Sequence, residues 1–69
     1  MNQETAQEIK EYALKAIENL SISLNVAIDK CSEEDFEKLK KAVGLSIMKI
    51  DSDVLAFVYT KYPELDDLK

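Results

Sequence analysis

The chain has 69 residues and room for one domain, whose core would seldom supply more than about 3–5 kcal/mol of stability. Its single cysteine excludes an internal disulfide, and the lack of histidine excludes a Cys/His zinc site. A net charge of −5 without any arginine argues against nucleic-acid binding, which needs a cationic surface. We therefore expect oligomerisation to supply the missing stability, and we expect no metal and no cofactor.

The N-terminal residues are acidic and polar and lack the basic and apolar regions of a secretory signal. No apolar run approaches the roughly 20 residues that cross a bilayer. These features predict a cytoplasmic protein that does not engage a membrane.

The first predicted helix covers about residues 3–30. This stretch contains no glycine or proline and is rich in good helix formers such as Glu, Lys, Ala and Leu. Its apolar residues recur at spacings of three and four, as on one face of a helix. They are Ala6, Ile9, Ala13, Ala16, Ile17, Leu20, Leu24, Ala27, Ile28 and Cys31.

Residues 20–28 also fit a second interpretation. Apolar residues alternate there with small or polar ones, which is typical of a half-buried strand. We favour the helix because no turn signal separates this stretch from the helical residues before it. In addition, no other segment of the chain offers a strand to pair with. Both interpretations remain open from the sequence.

A second helix is predicted to begin after Ser32. Ser32 followed by Asp35 resembles a capping box, and three acidic residues in the first turn suit the helix dipole. Pro63 cannot continue a helix, so the prediction ends at residue 62. The short link between the helices folds them antiparallel. The predicted fold is thus an all-α helical hairpin, with helix 2 over about residues 33–62 and a short tail over residues 63–69.

The second predicted helix carries two apolar stripes when it is drawn at 100° per residue. The first stripe comprises Phe36, Leu39, Val43, Ile47, Ile50, Val54 and Phe57. The second comprises Leu45, Met48, Leu55, Tyr59 and Tyr62. The first helix covers only one stripe, and the other would be a larger apolar patch than soluble monomers usually expose. The second stripe is therefore the predicted interface of a homodimer, in which two hairpins form a four-helix bundle.

The alternative is a monomer whose tail folds back over the second stripe. The tail offers Leu65 and Leu68 for this purpose. Two leucines are few for so long a surface, which is why we favour the dimer.

Gly44 lies inside the second predicted helix, where glycine costs about 1 kcal/mol relative to alanine. With Ala42 and Ser46 it suggests a small-residue patch that allows a close helix crossing. The alternative is a gap that admits a ligand, and we favour close packing.

Two further residues carry side chains that could take part in a reaction. Asp51 falls within the apolar arc of the second helix and is predicted to lie at the interface edge, paired with a lysine. Cys31 lacks a histidine that could act as its base, so we predict a buried or half-buried structural thiol. The chain is accordingly predicted to have no catalytic, cofactor-binding or metal-ligating residue.

The segment Ala42–Met48, followed by residues 58–65 with Tyr62-Pro63-Glu64-Leu65, resembles a group of small, uncharacterised bacterial helical-hairpin proteins. That group combines a Gly-centred small-residue patch with a YPEL-like ending. The resemblance covers about the second half of the chain. It implies a helical fold and self-association, and it implies no activity.

Two functional hypotheses follow. The first is a non-enzymatic helical interaction module that forms a homodimer or a higher homo-oligomer and that can engage another protein. The second is a small acidic inhibitor, immunity or antitoxin-like, that binds a basic partner protein through its negative charge.

Overall fold

The computed structural model describes residues 1–67, which form an antiparallel helical hairpin closed by a short tail. Its elements are α1 (Gln3–Ala27), α2 (Glu33–Lys49), a π-helical segment (Ile50–Leu55), α3 (Ala56–Lys61) and a 3-10 turn (Pro63–Leu65). About 85% of the structure is helical, and no strand occurs among residues 1–67. The predicted all-α fold is confirmed.

Helix α1 begins at a side-chain cap and ends earlier than predicted. The Asn2 side chain accepts a hydrogen bond from the Thr5 amide at 2.8 Å, which satisfies one free donor of the first turn. The helix ends at Ala27, whose carbonyl accepts from the Lys30 and Cys31 amides. Residues 20–27 are helical, so the strand interpretation of this stretch is wrong.

Helix α2 begins where the capping pattern predicts. The Ser32 hydroxyl accepts a hydrogen bond from the Asp35 amide at 3.1 Å. Helical structure then continues through α2, the π-helical segment and α3 to Lys61. It stops at Tyr62, whose ψ of 76° is the non-helical geometry expected before a proline.

The π-helical segment changes which residues face α1. A π-helix closes its hydrogen bonds over five residues instead of four, as the Ala56 amide does with the Asp51 carbonyl. The inward positions therefore step from Ile50 to Leu55, one residue later than in an α-helix. Leu55 and Val58 are buried, with exposed fractions of 2% and 1%. Val54 and Phe57, which an uninterrupted α-helix would turn inward, are 39% and 54% exposed. The predicted stripes are thus wrong beyond Ile50, because they assumed one uninterrupted α-helix.

The core between the two arms is thin. Its buried apolar side chains are small or medium in size: Ala6, Ala13, Ala27, Val43, Leu55, Val58 and Leu65. The molecule measures 45 × 20 × 16 Å, and its radius of gyration is 14.7 Å. A compact chain of this length would have a radius of gyration of about 11 Å. The hairpin is therefore only two helices thick along most of its length.

The tail docks on the hairpin and covers only one end of the second predicted stripe, where Tyr59 and Tyr62 pack against the cluster that contains Leu65. Leu65 is buried against Ala6 and Val58, at the end of the hairpin opposite the turn between α1 and α2. Leu65 thus docks as in the alternative with a folded-back tail, whereas Leu68 lies outside the described residues.

Candidate functional site: the terminal end and the outer face of α2

The terminal end of the hairpin holds one apolar cluster. Ala6 from α1, Val58 from α3 and Leu65 from the tail form its buried centre, and Tyr59 and Tyr62 pack against it. The Tyr62 hydroxyl donates a hydrogen bond to the Met1 carbonyl. The first and last described segments of the chain are thereby tied together at the same place.

Lys10 is the buried charged residue of this end, with 5% of its surface exposed. Its ammonium donates to the Leu65 carbonyl at 2.7 Å and to the Asp67 carboxylate at 2.9 Å. It also lies 6.0 Å from the centre of the Tyr59 ring. The hydrogen bond to Asp67 holds the pKa of Lys10 above its ordinary value of 10.5, although burial opposes the shift. A buried cation needs such partners, because desolvation without them is costly.

Sequence reasoning missed Lys10. The prediction placed Ile9 on the inner face of α1, yet Ile9 is 37% exposed and Lys10 takes the inward position. The signal was available in the spacing, since Lys10 lies four residues after Ala6 and three before Ala13. A charged residue at such a position needs an acidic partner, and the tail supplies Asp67.

The predicted interface residues fall into two groups. Leu45 and Met48 are 58% and 66% exposed on the outside of α2. Leu55 is buried within the chain, and Tyr59 and Tyr62 are half-buried against the terminal cluster. The assignment of Leu55 to an outward stripe is therefore wrong, because the π-helical segment turns it toward α1. The interface role of Tyr59 and Tyr62 stays a prediction.

The predicted small-residue patch is not one surface. Ala42 and Ser46 are four residues apart and lie on the same side of α2, where the Ser46 hydroxyl donates to the Ala42 carbonyl. Gly44 is two residues from each, which places it about 160° away around the helix. A β-carbon at Gly44 would meet no atom within 4 Å. Close packing at Gly44 is thus not made within the chain.

Asp51 and Cys31 differ from their predicted environments. Asp51 is exposed, and Lys49 pairs instead with Asp53 at 2.8 Å. The hydrogen bond from Lys49 lowers the pKa of Asp53 below its ordinary value and raises the pKa of Lys49. Cys31 is exposed because α1 ends before it, so the prediction of a buried or half-buried thiol is wrong.

Within residues 1–67, no group of three or more Cys, Asp or Glu side chains is arranged to hold a metal ion. Among the same residues, no helix combines the length and hydrophobicity that crossing a membrane requires.

Comparisons with protein-family models, with curated protein sequences and with solved structures find no match for the chain. The resemblance to small bacterial hairpin proteins therefore stays a prediction. Function has to be argued from the residues of the chain itself.

Proposed function

We propose that the chain is a non-enzymatic interaction module that self-associates through the outer face of α2, defined here as Gly44, Leu45 and Met48. In the simplest assembly, two hairpins pack with two-fold symmetry into a four-helix bundle. The observation that carries the proposal is the surface area left uncovered by so thin a hairpin.

The exposed area of the chain is larger than its mass requires. The accessible surface is 5250 Å², whereas a compact monomer of 7.8 kDa would expose about 4400 Å². The excess of about 850 Å² is close to the roughly 800 Å² that each partner buries in a standard protein interface. One further copy would therefore bring the exposed area per chain to the level of a compact protein.

Apolar residues contribute much of this surface. Seven apolar residues are buried among residues 1–67, while twelve large ones are exposed. Leu45 and Met48 are among the most exposed, and both project from the side of α2 that faces away from α1. Methionine and leucine are common in the apolar centres of interfaces and helix bundles, where their burial is favourable.

Gly44 supports a close approach of two helices at this face. Glycine in an exposed helical position costs about 1 kcal/mol relative to alanine, and nothing within the chain requires it there. The backbone of a second α2 can approach a helix most closely at a glycine, since no β-carbon intervenes. A helix crossing at Gly44 would require the absence of a β-carbon at this position, which the single hairpin does not require.

The test is the mass of the double variant Leu45→Glu/Met48→Glu in solution. Wild-type protein is expected to sediment at twice the 7.8 kDa chain mass, or at a higher multiple. The double variant is expected to sediment as a monomer with unchanged helical circular dichroism, because both side chains are exposed in the single chain. Two carboxylates in each half of a desolvated contact would oppose association.

The control is Val26→Glu, which replaces one exposed apolar side chain on α1, 57% exposed, by a carboxylate. It should leave the dimer intact. A wild-type chain that remains monomeric up to millimolar concentration would refute self-association. Binding to a basic partner with a steep salt dependence would then favour the acidic inhibitor. Leu55→Glu is unsuitable for this test, because it would unfold the single chain as well.

A further inference from the structure

We propose that the terminal end of the hairpin is a binding cleft for a short acidic segment of a partner protein, in which a leucine is followed two residues later by an aspartate. In the structure, the chain's own tail occupies this cleft. The proposal concerns a different surface from the outer face of α2 and does not depend on self-association.

The hairpin supplies both apolar and polar groups that hold the tail. Ala6 and Val58 provide the apolar floor, and Tyr59 packs at its side. The Lys10 ammonium provides two polar contacts, one to the main-chain carbonyl of Leu65 and one to the carboxylate of Asp67. An apolar seat for one side chain, with a donor for the main chain and for a neighbouring acid, is a common way to recognise a peptide.

The charge arrangement selects an acidic occupant. The Lys10 side chain is 7% exposed, whereas the Asp67 side chain is 82% exposed. If the tail left, the ammonium would lose both acceptors and would be exposed to water beside the Tyr59 ring. A carboxylate and a carbonyl from another segment would restore the lost contacts, and a neutral or basic segment would not.

The chain's own tail is attached weakly enough to be replaced by a segment of another protein. Among the tail residues that the structure describes, Leu65 is buried, whereas Pro63 and Glu64 are exposed. Burial of one leucine favours a docked state by roughly ten- to hundredfold. Helix α3 ends at Lys61, and Tyr62 is already non-helical. Undocking of the tail after Tyr62 therefore breaks no hydrogen bond of α3. The cleft is thus open in a small fraction of molecules, and the tail acts as a competitor of the partner segment.

The test uses the 69-residue chain and a fluorescent synthetic peptide with the sequence of residues 63–69. Wild-type protein should bind this peptide weakly, because a tethered tail competes at millimolar effective concentration. The variant Leu65→Ala weakens the tail without changing the cleft. We expect it to bind the peptide about tenfold more tightly, in line with the loss of the buried leucine.

Two controls assign the binding to the cleft. Lys10→Met in the Leu65→Ala background should abolish the gain, and a peptide with alanine in place of its first leucine should not bind. Peptide binding that is insensitive to Lys10→Met would overturn the proposal, as would a folded Leu65→Ala variant with no tighter binding. If Leu65→Ala is unfolded, addition of the peptide should restore its helical circular dichroism, and failure to do so would equally overturn the proposal. A wild-type dimer that Leu65→Ala abolishes would show that the tail of a second copy fills the cleft, against a separate partner.

Discussion

The two ends of the hairpin are stabilised in different ways. At the turn end, Ser32 caps α2 through a hydrogen bond to a residue three positions away, while Ile28 and Cys31 remain exposed. At the terminal end, residues more than 50 positions apart meet, as Lys10 does with Leu65 and Asp67. The turn end therefore depends on local hydrogen bonds, and the terminal end depends on tertiary packing.

This difference indicates which end of the hairpin contributes more to the free energy of unfolding. Local capping sets where a helix starts but buries little apolar area, whereas packing removes apolar surface from water. The largest effects of mutation are therefore expected toward the terminal end, and smaller ones at the turn and on the outer face.

The largest effect is expected for Leu55→Ala. Leu55 is 2% exposed, and truncation of such a leucine costs about 2–5 kcal/mol because a cavity remains. Since a chain of this size has little stability to lose, urea denaturation should show a large decrease in the midpoint or outright unfolding. The matched control is Val54→Ala, at 39% exposure, for which we expect about 0.5 kcal/mol or less. Equal losses at both positions would mean that Val54 also faces α1 and that the π-helical register is incorrect.

A smaller loss is expected for Ser32→Ala at the turn end. Removal of the hydroxyl leaves the Asp35 amide without its acceptor and should cost about 0.5–2 kcal/mol. Asn2→Ala removes the corresponding cap of α1 and should cost an amount in the same range. Chemical denaturation measures both. An unchanged midpoint for Ser32→Ala would show that the cap does not stabilise α2.

Gly44→Ala should change stability in the opposite direction. The added β-carbon meets no atom of the chain, and alanine is the better helix former, so the single hairpin should gain about 0.5–1 kcal/mol. Self-association through a close crossing at Gly44 should weaken at the same time. Denaturation at low protein concentration and sedimentation at high concentration separate these effects. A variant that dimerises as tightly as wild type would place the crossing elsewhere.

The smallest effect concerns alkaline pH. Because the folded pKa of Lys10 lies above 10.5, its ion pair contributes fully below that pH, and the contribution is lost as the pH rises through the folded pKa. Stability should therefore fall more steeply above pH 10.5 in wild type than in Lys10→Met. Parallel pH profiles would show that Lys10 is not paired in solution.

The sequence by itself determined the local features of this protein. The helix formers before residue 27, the Ser32 cap and Pro63 are short-range signals, since a cap or a proline acts on the backbone within a few residues. They predicted the helical hairpin and its boundaries to within a few residues. Helical spacing alone also separates Leu45 and Met48 from Val43, although it does not decide which of the two stripes faces α1.

Only the tertiary structure decided the positions of Leu55 and Val58 and the partners of Lys10. One additional residue in the turn at Ile50–Leu55 rotates the rest of the helix by about 100°. No residue type in the sequence predicts a π-helical segment. That rotation turns Leu55 and Val58 toward α1. The ion pair of Lys10 depends on a tail that is distant in sequence and close in space, a contact that only long-range packing can create.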